Sequence, residues 1–208
     1  MKTRDLTLTA IFLAIIFLFA FTPLGFINLG VIKATLIHVP VIIGSIVLGP
    51  RIGALLGLAF GGTSLLINTL TPSLLSFAFS PFIPVIGTQH GSLWALVIAF
   101  IPRILVGIVP YYVFKGLEPI VNKKSHRPLA FMTAGIAASM TNTLLVMNLI
   151  YLLFQDAYAM VKDMPIGASL YKAVLTVIFV NGVPEAIVAG IATAVVTPLL
   201  LQFKNKRR

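Results

Sequence analysis

The chain has 208 residues, of which 59% are hydrophobic and only 10% charged, with a formal net charge of +10 and no cysteine. A soluble domain of this length carries about 25% charged residues, so a soluble fold is excluded, and the missing cysteines exclude disulfides, thiolate chemistry and Cys-ligated zinc. The positive charge does not point to nucleic acid, because the basic residues sit near the chain ends and in short connectors, as membrane topology demands, and not along one face.

About 20 apolar residues are needed to cross a bilayer core as a helix. Six runs meet or approach that length: Leu6–Leu24, Ala34–Gly49, Ile52–Leu70, Leu93–Phe114, Leu129–Phe154 and Ala173–Phe203. The expected fold is an all-α integral membrane protein, one six-helix bundle over residues 1–208. The first run lacks a small-x-small cleavage pattern and is read as a retained span. The second is short and closed by Pro50 and Arg51, which predicts a tight helical hairpin with the third.

Six crossings put both ends on one side. Lys2, Arg4, Arg51, Lys115, Lys123, Lys124, Arg127 and the terminal Lys204–Arg208 cluster share that side, against Lys33, Lys162 and Lys172 opposite. The positive-inside bias predicts cytoplasmic termini. The outer connectors are "FINLGVIK", then the apolar, proline-broken "TPSLLSFAFSPFIPVIGTQHGS" at Thr71–Ser92, then Gln155–Tyr171 with Asp156 and Asp163. The second of these is too apolar for a solvated loop. It is expected to pack over the outer mouth, as a gate or as a buried connector.

Helices in lipid associate through close packing, which small residues at four-residue spacing permit. Gly53, Gly57 and Gly61 form such a ridge in the third run, Ala186, Gly190 and Ala194 in the sixth, and Ala10 and Ala14 a shorter one in the first. On the residues alone, all three read as packing within the chain.

An ionisable group at bilayer depth costs about 2.5–3.5 kcal/mol on insertion scales and must face a partner or a cavity. Arg103 lies ten residues inside the fourth run, about 15 Å deep at 1.5 Å per residue. Pro102 precedes it and removes a backbone N–H, which leaves a carbonyl free. Glu185 and Asn142 fall at similar depth, Asn181 is one helical turn before Glu185, Asn148 is shallower, and Ser64 and Asn68 lie near the outer end of the third run. Two arrangements are open: a buried Arg103–Glu185 ion pair with asparagines bonded between helices, or a pocket for a polar solute. Trp94 is a headgroup-level anchor or a stacking platform.

Reactive constellations are missing. No phosphate-binding G-x-x-x-x-G-K-[ST] loop occurs, His38, His90 and His126 are scattered, five acidic residues offer no paired carboxylates, and no serine sits in a G-x-S-x-G elbow. The chain supplies no energy source and no cofactor or metal site of its own.

Several stretches in order resemble the substrate-binding S component of an energy-coupling factor (ECF) vitamin transporter. "AIFLA" is similar to the alanine pair by which such components dock. "GVIKATLIHVPVIIGSIVLGPRIGALLGLAFGGTSLL" is similar to the hairpin of spans two and three, and "IPRILVG" and "NGVPEAIVAGIATAVVTPLLL" to later signatures. The resemblance covers nearly the whole chain. It implies a non-enzymatic, multi-pass subunit of a bacterial plasma membrane. That subunit binds a vitamin at its outer face and works with a transmembrane coupling subunit and two ATPase subunits, which consume the ATP. Ala10 and Ala14 become docking residues, and the recurrence of "PRILVG" implies a structural part for Arg103.

"ATLIHVPVIIG" with "SFAFSPFIP" looks most like the pantothenate type. Pantothenate has a carboxylate, an amide and two hydroxyls, which suit a layer of amides and one cation. Lys33 or Lys172 at the rim would supply that cation if Glu185 occupies Arg103. The candidate solute contacts are Lys33, Asn68, Trp94, Arg103, Asn142, Asn148, Asn181 and Glu185. The alternatives are an S component for pyridoxine, hydroxymethylpyrimidine, folate or riboflavin, a membrane-embedded enzyme, or a self-sufficient carrier.

Overall fold

Apolar runs that must satisfy their own backbone in lipid fold as helices, and the computed structural model, which describes residues 3–28, 33–119 and 127–205, is helical almost throughout. The elements are α1 (Thr3–Phe21), a short antiparallel hairpin of β1 (Phe26–Asn28) and β2 (Lys33–Thr35), α2 (His38–Leu48), α3 (Pro50–Leu70), α4 (Trp94–Leu117), α5 (Arg127–Leu153), α6 (Gln155–Lys162), α7 (Ala168–Val177) and α8 (Val183–Asn205), with a π-turn at Ile178–Gly182 joining the last two. Of the basic residues expected on the inner side, Lys2, Lys123, Lys124, Lys206, Arg207 and Arg208 lie outside the described residues, as does His126.

Five segments are long and apolar enough to cross a membrane: Thr3–Phe21, Pro50–Leu70, Trp94–Leu117, Arg127–Leu153 and Ala168–Phe203. The expected second span, Ala34–Gly49, departs from this pattern. Its helix has only 11 residues, about 16 Å long, or half of a hydrocarbon core. The chain reaches α2 through strand and turn. Irregular backbone at bilayer depth is tolerated where it lines a cavity, and Thr35 and Ile37 do line one. The third outer connector also differs from a plain loop, since it contains α6 and the first turn of α7.

α2 turns into α3 through Gly49 alone, at φ +100°, a conformation that a side chain would strain. Pro50 follows at the start of α3, where its missing N–H costs nothing. The glycine ridge of α3 lies against α4: a Cβ at Gly53 would strike the Gly107 carbonyl, one at Gly57 the Arg103 carbonyl, and one at Gly61 the Ala99 carbonyl. The α8 ridge is internal as well. Ala186 is buried, and a Cβ at Gly190 would meet Met132 and Ile136 of α5. α8 turns large apolar residues outward (Ile187, Ile191, Val195, Leu199) and buries Ala189, Thr193 and Thr197, the distribution expected where lipid is the solvent.

The buried apolar residues form two clusters. One contains Phe12, Ile16, Ile42, Leu56, Val106, Phe131 and Ala189. The other contains Phe77, Ile98, Met147, Phe154, Tyr158 and Leu170. The outer connector Thr71–Ser92 belongs to the second: Phe77 is buried edge-on to Phe154, 5.5 Å between ring centroids. Hydroxyls tie it to the end of α3, with Ser76 Oγ donating to Asn68 Oδ1 (2.6 Å) and Thr69 and Ser80 sharing a bond of 2.7 Å. The expectation that this connector packs onto the bundle holds.

Candidate solute-binding site

The polar layer lies where the two apolar clusters meet. On α4, Arg103 falls between Ile98 and Val106; on α5, Asn142 between Ala138 and Met147; on α8, Glu185 between Ile178 and Ala189. These three side chains, with Thr35, Ile37, His38, Phe60, Thr63, Ser64, Ile67 and Asn68, line a cavity of about 240 Å³.

Arg103 is held by the irregularity beside it. Pro102 cannot donate to the Ile98 carbonyl four residues back, and Arg103 Nη1 does so instead at 2.8 Å. Its Nη2 lies 3.4 Å from Ser64 Oγ, and its guanidinium stands 5.0 Å from the Phe79 ring centroid and 5.6 Å from that of Phe60, within cation–π range. Arg103 is 7% exposed, and its Nε has no hydrogen-bond partner.

Of the two arrangements left open, the Arg103–Glu185 ion pair does not form: the one salt bridge among the described residues joins Arg127 to Glu118. Glu185 Oε1 instead accepts the Thr35 backbone N–H at 2.8 Å, so the carboxylate fixes the β-hairpin to α8. Asn68 anchors the other outer connector through Ser76 and donates from Nδ2 to the Ser64 carbonyl (2.8 Å). Two cavity residues therefore also hold the two segments above it. Asn142 Oδ1 and His38 Nε2 are buried without partners, and His38 is 2% exposed.

Four of the eight candidate contacts meet at this cavity: Asn68, Arg103, Asn142 and Glu185. Asn181 does not, although a regular helix would put it on the face of Glu185. It lies in the π-turn, whose wider winding rotates the register, and it is exposed. Asn148 sits about a turn and a half above Asn142. Its amide is occupied by the Leu144 carbonyl and the Tyr171 hydroxyl. Trp94 opens α4 on the surface, 57% exposed, as an interfacial anchor would. Lys172 is exposed and away from the cavity, and the Lys33 side chain lies outside the described residues. The described cation in the cavity wall is thus Arg103. Sequence reasoning missed Thr35, His38 and Thr63. Pro40 was the available signal for His38, because proline is favoured in a first helical turn and so marks a helix start close to residue 38.

Ala10 and Ala14 are exposed on α1, while Thr9, Phe12, Ile16 and Ala20 face inward. Unlike the other two small-residue ridges, this one is left exposed, with no helix among the described residues packed on it.

A bundle with lipid-type outer faces around a polar-lined cavity is the architecture of a multi-pass membrane protein with room inside for a small molecule. Comparison with known proteins agrees. The family described as "ECF transporter, substrate-specific component" matches residues 4–197. The chain is 42% identical over 206 residues to a pantothenic acid transporter PanT of Lactococcus lactis subsp. cremoris, covering 98% of this chain and 97% of that one. It is 31% identical over 213 residues to a pantothenate transporter PanT of Leuconostoc mesenteroides subsp. mesenteroides, covering 99% and 96%. The chain belongs to the substrate-specific components of ECF transporters. It is a multi-pass protein of the bacterial cell membrane whose work is transport and not catalysis.

Proposed function

We propose that this chain takes up pantothenate, binding it in the cavity from the outer face and releasing it inward in a complex with a transmembrane coupling subunit and two ATPase subunits. ATP is consumed by those partners, and this chain carries no cofactor. The carrying observation is the cavity itself: about 240 Å³ of space lined by the buried Arg103 and by His38, Ser64, Asn68, Asn142 and Glu185. Polar groups gathered around buried space are costly without partners, and a polar solute is the partner this lining suits. The two PanT relatives support pantothenate as that solute.

The hairpin and α2 together make one crossing, so the chain crosses six times with both termini cytoplasmic, as the positive-inside bias requires. Asn68, Arg103, Asn142 and Glu185 contact the solute, and Ala10 and Ala14 meet the coupling subunit.

The test is a calorimetric titration of the purified chain against a vitamin panel. Pantothenate should bind tightest, and tighter binding of pyridoxine, hydroxymethylpyrimidine, folate or riboflavin would overturn the assignment. In the same assay Asn142→Leu should weaken pantothenate binding about tenfold, the worth of one buried hydrogen bond. Asn181→Leu should leave it unchanged, since that side chain is outside the cavity.

A further inference from the structure

The connector Thr71–Ser92 is part core and part surface. Ser76, Phe77 and Ala78 are buried, yet Leu74 and Phe82 on either side stand out from the bundle, Phe82 being 72% exposed. Leu70 at the end of α3 and Leu93 just before α4 are exposed as well. Single apolar side chains scattered over a surface need no explanation, but these are gathered at one end of α3 and α4. Thr69 and Ser80 share a bond of 2.7 Å, and Phe82 follows Ser80 by two residues, so it lies within about 7 Å of Ser80 along the chain. A Cβ at Gly91 would strike the Pro81 carbonyl, which brings the approach to Leu93 beside Phe82. The exposed polar residues Thr88, Gln89 and His90 form a separate tip, closed by the Val85 N–H donating to the His90 carbonyl at 3.1 Å.

The level of this gathering is that of the membrane boundary. α3 has 21 residues, about 31 Å at 1.5 Å per residue, which matches a hydrocarbon core. Leu70, and the residues clasped to the last turn of α3, therefore lie where acyl chains meet headgroups. The lipid-facing side chains lead there without a break, since the exposed Leu55, Leu58 and Leu66 run along α3 to Leu70. No Asp, Glu, Lys or Arg occurs between Arg51 and Arg103, so nothing in the segment demands water as a charge would. We propose that Leu74 and Phe82, flanked by Leu70 and Leu93, seat this connector in the lipid leaflet at its end of the bundle, about 5–10 Å into the boundary between headgroups and acyl chains, while Thr88, Gln89 and His90 stay in water. The partner is the apolar part of the leaflet. Basic clusters are what recruit anionic headgroups, and this segment has none, so it takes neutral and anionic phospholipids alike.

The chain has no cysteine, so a single introduced one can carry a nitroxide label in the full-length protein, reconstituted in phosphatidylcholine vesicles. Oxygen concentrates among acyl chains and a nickel chelate stays in water, so relaxation of the label by each reads which solvent a position meets. At Phe82→Cys and at Leu74→Cys the oxygen effect should exceed the nickel effect, and at His90→Cys the order should be reversed. Adding the anionic phosphatidylglycerol to the vesicles should change none of these orders. All three positions are exposed, so the labels do not disturb the core, and either apolar position decides if the other variant fails to fold. A nickel effect exceeding that of oxygen at Phe82→Cys or Leu74→Cys would overturn the proposal. An oxygen effect exceeding that of nickel at His90→Cys would overturn the division of the connector between lipid and water. A dependence on phosphatidylglycerol would overturn recognition of the leaflet by its apolar part alone.

Discussion

Cells expressing the double variant Ala10→Trp, Ala14→Trp are expected to accumulate no labelled pantothenate above background, while the purified variant binds it with unchanged affinity. α1 contributes Phe12, Ile16 and Ala20 to the core and none of the cavity lining. Its opposite face carries Ala10 and Ala14, exposed and one turn apart, beside the exposed apolar Ile11, Phe17 and Leu18. Two alanines at this spacing allow a second helix to approach closely in lipid, where packing and not the hydrophobic effect drives association. An indole at each position holds that helix away. Overpacking costs about 1–3 kcal/mol per site, so two sites weaken assembly with the coupling subunit roughly a hundredfold or more. The solute cavity, walled by other helices, does not register the change. Loss of binding together with a surviving complex would remove Ala10 and Ala14 from the docking surface.

The apolar runs carried the bundle because in lipid a hydrophobic stretch has few options besides a helix, and the heights of Arg103, Asn142 and Glu185 followed from a constant rise per residue. The free carbonyl beside Pro102 was also legible, and Arg103 fills it. What the sequence hid lies where helix geometry is not uniform. The run Ala34–Gly49 reads as one continuous span, yet its first residues form strand and turn, which is how Thr35 and His38 come to line the cavity. The π-turn at Ile178–Gly182 rotates Asn181 off the face predicted by four-residue spacing. The destiny of Glu185 was not legible either, because its partner is a backbone N–H on the hairpin and no side-chain pattern announces that. By spacing alone the three small-residue ridges looked alike; the family resemblance set the α1 pair apart, and the structure leaves that pair exposed while the other two pack within the chain.

Gly57→Leu is expected to destabilise the bundle by at least about 3 kcal/mol, the upper part of the usual overpacking range, and to abolish pantothenate binding. A Cβ at this position would meet the Arg103 carbonyl and the Ile104 Cα, both backbone, so no side-chain rotation relieves the clash and α3 must move away from α4. Those two helices form one wall of the cavity, through Phe60, Ser64 and Asn68 on α3 and Arg103 on α4. Separating them lengthens the contacts that hold the guanidinium between Ser64 and Phe60. Gly62 is the control on the same helix: nothing lies within 4 Å of a Cβ there, and Gly62→Ala should leave binding intact and stability unchanged or raised by up to about 1 kcal/mol. Thermal unfolding in detergent with and without pantothenate checks both variants. Equal melting temperatures for Gly57→Leu and Gly62→Ala would mean that the α3–α4 contact is looser than the described geometry, and that the glycine ridge does not set the position of Arg103.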